Sequence, residues 1–339
     1  MAVESLEKRP RADDAQAMDR LVAATRADMD AVNALIVSRA DSSVEMVPEV
    51  ANHLIAAGGK RLRPMLTLAA SAMFGTADGN GVRFAAAVEF MHNATLLHDD
   101  VVDESDMRRG RPAARTIWGN QASVLVGDFL LGQAFMMMVE SGDLAALGVL
   151  SRAAATIAEG EVFQLAKAGD LSTTAGDYDR IIHAKTATLF EAATEVGAMA
   201  GGAATEQREA LAAYGRELGM AFQLVDDVLD YGGARGNLGK NTGDDLREGK
   251  MTLPIILSLA TADAAERRTI ESALGNTNAD SGVFETVLAI LERHDALAQT
   301  MARAEGHAQA ARAALSGLPS SPIADILLDV PAFCTRRAY

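Results

Sequence analysis

The stretch GVRFAAAVEFMHNATLLHDDVVDES, residues 81–105, reads as one long helix with almost no polar face before Asp99. A helix at a protein surface keeps a polar stripe at 3.6-residue spacing; one that is apolar nearly all round has to be enclosed by other helices. The rest of the chain supplies them. Alanine, leucine, methionine and glutamate are abundant, and aromatic residues make up only 4 %. That balance favours helix over strand. The expected fold class is therefore all-α. Apolar periodicity places helices at about 15–39, 120–140, 144–168, 175–200, 205–231, 252–263, 265–274, 282–295, 297–316 and 323–334. Another should follow the capping residues of ADSS (40–43) and stop at Gly58-Gly59, and the next should carry Pro64 in its first turn. With 339 residues and no Pro/Ser-rich linker or low-complexity tract, the expectation is a disordered tail over 1–14 and one domain over 15–339.

A formal charge of −15 excludes the basic footprint of a nucleic-acid binder and electrostatic attachment to anionic lipid. A single cysteine, Cys334, rules out an intrachain disulfide and a cysteine zinc site, which suits a cytoplasmic location. The polar, mixed-charge N-terminus is not expected to act as a signal peptide. The longest apolar run, 124–139, is interrupted by Asp128 and Gln133 and is too short for a membrane span.

One internal echo points to chemistry. LLHDDVVD (96–103) recurs as FQLVDDVLD (222–230), each near the C-terminal end of an apolar helix. Residues four apart share a helix face, so Asp99 stacks on Asp103 and Asp226 on Asp230, with Asp100 and Asp227 beside them. Carboxylates stacked at the negative end of a helix repel unless a cation lies between them. Oxygen ligands without His or Cys favour magnesium or manganese, and magnesium completes its shell with water and phosphate oxygens. A solvated acidic helix end explains one such cluster; it does not explain the same spacing twice behind buried helices. Candidate phosphate-gripping cations follow in GGKRLRP (Lys60, Arg61, Arg63), after the first cluster (Arg108, Arg109), in HAKTATLF (Lys185, Thr186), and in GNLGKNTGDDLREGK (Lys240, Lys250). The last of these only faintly imitates a P-loop: Lys240 is followed by Asn241 and no strand precedes it. It reads better as a loop able to close over diphosphate.

Taken in order, GGKRLRP, HDDVVDESDMRRGRP, KT, FQLVDDVLD and GK…DDLREGK resemble the trans-isoprenyl diphosphate synthases, over roughly residues 45–339. The resemblance implies the isoprenoid synthase fold, antiparallel helices around a central cavity, usually in a homodimer. It implies a prenyltransferase that condenses an allylic diphosphate (dimethylallyl, geranyl, farnesyl or geranylgeranyl) with isopentenyl diphosphate. Ionisation of the allylic carbon, attack by the isopentenyl double bond and proton loss to the released diphosphate would follow, with about three magnesium ions per site. By the same resemblance Asp99, Asp103 and Asp226 match metal ligands, while Asp100, Asp227 and Asp230 match supporting positions. Arg108, Lys185, Thr186, Gln223 and Lys240 match allylic-substrate contacts, and Lys250 joins the candidate substrate-binding cations. Lys60, Arg63, His92 and Arg109 match the isopentenyl diphosphate pocket.

Product length should be set on the wall carrying Asp99. Ala94 lies about 7.5 Å and Met91 about 12 Å below the metals along the helix axis. Similar farnesyl and geranylgeranyl synthases often carry an aromatic near Ala94 or Thr95; both are small here. The channel should pass this level, with a floor near Ala87, Phe135 or Met138, giving a C40–C50 product like those of octaprenyl and decaprenyl synthases that supply ubiquinone side chains. A C20 product stays open if Ala94 and Thr95 only pack against a neighbouring helix. A class I terpene cyclase would lack GGKRLRP and the second Asp cluster, and a silent partner subunit would have lost one cluster.

Overall fold

In the computed structural model, which describes residues 12–75, 79–232, 243–276 and 281–336, the apolar stretch forms α4 (Asn80–Val102) at the centre of a helical array. Phe84 to Met91, Ala94 and Leu97 are buried. Its enclosing helices are α1 (Ala12–Arg39), α3 (Leu62–Ala72), α5 (Ala114–Glu140) and α8 (Thr188–Ala200), all packed directly on it. α2 (Met46–Ala56) lies on α5, and α6 (Leu144–Lys167) bridges α5 and α8. α7 (Ala175–Ile182) leads through a π-helical turn, His183–Ala187, into α8. α9 (Thr205–Gly232) packs along α8 and carries the second Asp cluster. Then come α10 (Asp244–Arg247), α11 (Leu253–Thr261), α12 (Ala264–Ala273), α13 (Ser281–Arg293), α14 (Ala296–Ala314) and α15 (Pro322–Arg336), which returns to α1 and α14. One apolar cluster surrounds α4 and α8; a second joins α9 to α11–α14.

Several expectations are corrected. α1 starts at Ala12, and residues 1–11 lie outside the described ones. The ADSS residues do not cap α2: its N-cap is Glu45, because Asp41 and Ser42 spend their side chains on the Ser42 and Val44 amides. The helix expected over 175–200 is three segments, since the π turn inserts between α7 and α8. Residues 107–112 form a hairpin, β1 (Met107–Arg108) with β2 (Arg111–Pro112). Arg109 and Gly110, both at positive φ, make its two-residue turn, as the strand twist demands.

The length argument against a membrane span also fails for α5, which extends ten residues before Val124 and is long and apolar enough by length and composition alone. Val126, Leu130, Ala134, Met137 and Met138 are nonetheless buried among the other helices, and Gly119 breaks the helix with non-helical φ/ψ.

Candidate active site

The two Asp clusters and most of the candidate cations converge at the C-terminal ends of α4 and α9. Asp99 sits on α4 with 16 % of its side chain exposed, and its Oδ2 lies 3.9 Å from Lys185 Nζ. Burial pushes the Asp99 carboxyl up to about 7, against the pull of Lys185. Asp103, the α4 C-cap, accepts a 2.9 Å bond from Lys250 Nζ. That ammonium also meets Glu248 at 2.5 Å and Asp245 at 3.9 Å. Burial works against its charge, yet the surrounding Asp245, Asp103 and Glu248 raise its pKa above that of an ordinary lysine.

Asp100 points the other way, into the protein, and is 1 % exposed. The hairpin folds Arg108 back onto it, with Nε 2.8 Å from Oδ1 and a second guanidinium nitrogen on the same oxygen. Asp100 Oδ2 is buried without a hydrogen-bond partner. On α9, Asp227 is equally buried and both of its oxygens are taken: Gln223 Nε2 donates to one at 2.8 Å and the Tyr178 hydroxyl to the other at 2.6 Å. Gln223 in turn accepts from Thr186 at 2.7 Å, tying the π turn to α9. Asp230 accepts from the backbone amides of Asp244 and Asp245, at 3.3 and 3.2 Å, and so anchors the start of α10. Asp100, Asp227 and Asp230, which match supporting positions by resemblance, thus each accept hydrogen bonds from protein donors.

The basic pocket assembles beside this site. Arg63 Nη1 is 3.4 Å from His92 Nε2, and its guanidinium stacks 4.3 Å from the centroid of Phe190. Burial lowers Arg63 to about 10, with Glu89 and Asp226 opposing. Burial, then the neighbouring Arg63, Arg109, Arg108 and Arg61, hold His92 well below the usual imidazole range. A neutral histidine beneath four guanidinium groups marks an anion pocket. Arg109 lies over the Gly59 backbone so closely that a Cβ there would come 2.6 Å from Nη1. Arg61 pairs with Glu89, and Lys60 Nζ lies 5.2 Å above the Phe333 ring. Among the described residues, four non-glycine residues have positive φ, and three of them, Arg61, Glu104 and Arg109, flank this site. Such strain persists only where surrounding contacts enforce it, as at functional sites. Lys240 lies outside the described residues.

Below Asp99 opens an apolar cavity lined on α4 by Met91, Ala94, Thr95 and His98, with Leu131 of α5 and Ile157 of α6 facing them. Along α4 its lining runs from Asp99 down to Met91. Ala87 and Met138 are fully buried in the core, and Phe135 packs against it.

These donors fit hard divalent cations shared with a diphosphate. No three acidic, His or Cys side chains among the described residues converge tightly enough to bind a metal alone. Magnesium needs only one or two carboxylates when phosphate supplies the remaining oxygens. Sequence reasoning missed Asp245, Glu161 and Tyr178. Glu161 and Tyr178 stand outside the Asp motifs, and the neighbouring DD of GDDLREGK was the available signal for Asp245.

The model of the Polyprenyl synthetase family matches residues 44–291. Octaprenyl diphosphate synthase of Escherichia coli K12 is 42 % identical over 320 residues, 94 % of this chain and 99 % of that protein. The crystal structure of a Caulobacter crescentus CB15 polyprenyl synthase complexed with calcium and isoprenyl diphosphate is 48 % identical, with a TM-score of 0.91 over 95 % of this chain and 98 % of that one. A decaprenyl diphosphate synthase from Rhodobacter capsulatus gives 49 % and 0.90, over 95 % and 99 %.

Proposed function

Since this chain belongs to the polyprenyl synthetase family, with the all-α isoprenoid synthase fold, we propose that it is a long-chain trans-polyprenyl diphosphate synthase, adding isopentenyl diphosphate units to an allylic diphosphate. The observation that carries this reading is the junction at Asp99: carboxylates and lysines above, an apolar cavity walled by Ala94 and Thr95 below. Asp99, Asp103 and Asp226 would hold magnesium together with the allylic diphosphate. The calcium and isoprenyl diphosphate bound to the Caulobacter relative support divalent cations in this role. When bound, such ions supply charge stabilisation for the departing diphosphate.

The chain's own groups do the rest. Lys185, Arg108 and Lys250 add positive charge around the leaving group, and Thr186 and Gln223 fix the wall opposite. Arg63, Arg109 and Lys60 bind the second diphosphate, with His92 beneath them. The apolar cavity keeps water from an allylic cation. The names of the octaprenyl and decaprenyl relatives support a C40–C50 product; a chain of that length would suit the side chain of a quinone. A homodimer is supported by the exposed apolar faces of α5 (Leu125, Met136, Val139) and α6 (Leu144, Val162, Leu165), which a second copy would cover.

The test is a product assay. Purified protein receives magnesium, farnesyl diphosphate and labelled isopentenyl diphosphate, and the products are read by mass spectrometry. A ladder ending at C40–C50 is expected, shortened by Ala94→Phe and lengthened by Met91→Ala. A wild-type product stopping at C20 would refute the long-chain assignment.

A further inference from the structure

Lys185 has two carboxylate neighbours, and the structure seats it on the one that no Asp motif contains. Its Nζ lies 2.8 Å from both oxygens of Glu161 on α6, against 3.9 Å from Asp99. All three side chains are largely buried, at 21 %, 18 % and 16 % exposure, so the choice of partner is made where charge interactions are strong. A lysine stem is long and rotamer-rich, and the contacts with Glu161 restrict where its ammonium lies.

The backbone holds the same arrangement independently. A Cβ on Gly160, the residue before Glu161, would come 2.6 Å from Ala184 Cβ and 3.2 Å from the Lys185 amide nitrogen. On the opposite side a Cβ on Gly219 of α9 would come 2.5 Å from Ala187 Cα. The π turn is thus clamped between two glycine surfaces, one on each flanking helix. π-helical insertions of this kind are rare and occur frequently at functional sites. Here the turn carries Lys185, and Glu161 receives it at the mouth of the apolar cavity, which both Glu161 and Asp99 line.

We propose that Glu161 is a positioning residue that acts through Lys185. Docked by Gly160 against the π turn, it holds the ammonium off Asp99, which leaves the Asp99 oxygens to a divalent cation and aims Lys185 at the allylic diphosphate. Without Glu161 the ammonium moves onto Asp99, the nearest remaining carboxylate, and competes with the metal for it. The inference rests on the reading of Asp99 as a metal ligand and of Lys185 as a diphosphate contact.

The experiment is a double-mutant cycle on the full-length protein with Glu161→Gln, Lys185→Met and the double variant. The first readout is Mn2+ binding, followed by electron paramagnetic resonance in the presence of farnesyl thiolodiphosphate, an allylic analogue that resists ionisation. The second is steady-state turnover. Glu161→Gln should weaken Mn2+ binding about tenfold or more and lower kcat about tenfold to a hundredfold, with a smaller change in KM. In the Lys185→Met background, Glu161→Gln should leave Mn2+ binding unchanged, because the competing ammonium has gone. Equal weakening in both backgrounds, or unchanged Mn2+ binding in Glu161→Gln, would overturn the proposal. If Lys185→Met alone keeps full turnover, the diphosphate role of Lys185 falls instead, and the Mn2+ cycle still decides whether Glu161 guards Asp99.

Discussion

The second aspartate of each cluster shows how two near-copies in sequence diverge in the folded protein. Asp100 and Asp227 occupy the same place in Asp-Asp-x-x-Asp, and both are buried, at 1 % and 2 % exposure. Asp100 is balanced by a full charge, the Arg108 guanidinium delivered by the hairpin, and one of its oxygens stays unpartnered. Asp227 is balanced by neutral donors, Tyr178 and Gln223, one on each oxygen. Burial raises the pKa of both. Asp227 goes well above the ordinary carboxylate value, through burial and then the nearby Asp245 charge, because hydrogen bonds from neutral groups offset less than a cation does. The α4 cluster is therefore built on ion pairs, with Lys185 and Lys250 facing its outer members. The α9 cluster is fixed at Asp227 by a hydrogen-bonded network running to the π turn.

That contrast separates outer aspartates that act on substrate from inner ones that support the helices. Asp99→Ala and Asp226→Ala should each lower turnover about a thousandfold with an unchanged far-ultraviolet helical signal. Activity within tenfold of wild type in either would remove it from the reacting site. Arg108→Leu strands the buried Asp100 charge and should cost about 3 kcal/mol of stability in urea unfolding. Tyr178→Phe removes one neutral donor from Asp227 and should cost about 1–2 kcal/mol. If the two losses came out equal, the distinction between charged and neutral support would be wrong.

The smallest effect is a pH dependence. Burial holds Asp99 protonated up to about 7 in the folded protein, whereas it ionises near 3.8 when unfolded. Between those values the folded state binds more protons, so this group's contribution to metal-free stability declines as pH rises through the window. Metal with an allylic analogue requires the ionised form, so its affinity should fall by at most about tenfold per pH unit below 7. Calorimetry at pH 6 and 8 should show proton release at the lower pH that is absent in Asp99→Asn.

Much of this was legible in the sequence. The all-round apolarity of 81–98 set α4 at the centre, and the four-residue spacing put Asp99 with Asp103 at one helix end. Asp100 and Asp227 stand beside the stacked pairs by spacing alone; that they turn inward is decided by packing, since neighbouring residues on a helix merely point about 100° apart. The π turn was not legible, because one inserted residue barely disturbs a 3.6-residue pattern in HAKTATLF, where apolar residues fall on several faces. The hairpin was hidden in RRGRP, whose few residues carry no strand alternation. Glu161 was invisible because its partner, Lys185, lies in a different helical segment.

The division of labour between outer and inner aspartates is tested most directly by locating the metals. Crystals grown with Mn2+ and farnesyl thiolodiphosphate, measured for manganese anomalous scattering, should show peaks in direct coordination of Asp99, Asp103 and Asp226. Asp100 should still be paired with Arg108, and Asp227 with Tyr178 and Gln223. A manganese ion coordinated by Asp100 or Asp227, with Arg108 or Tyr178 displaced, would contradict the account.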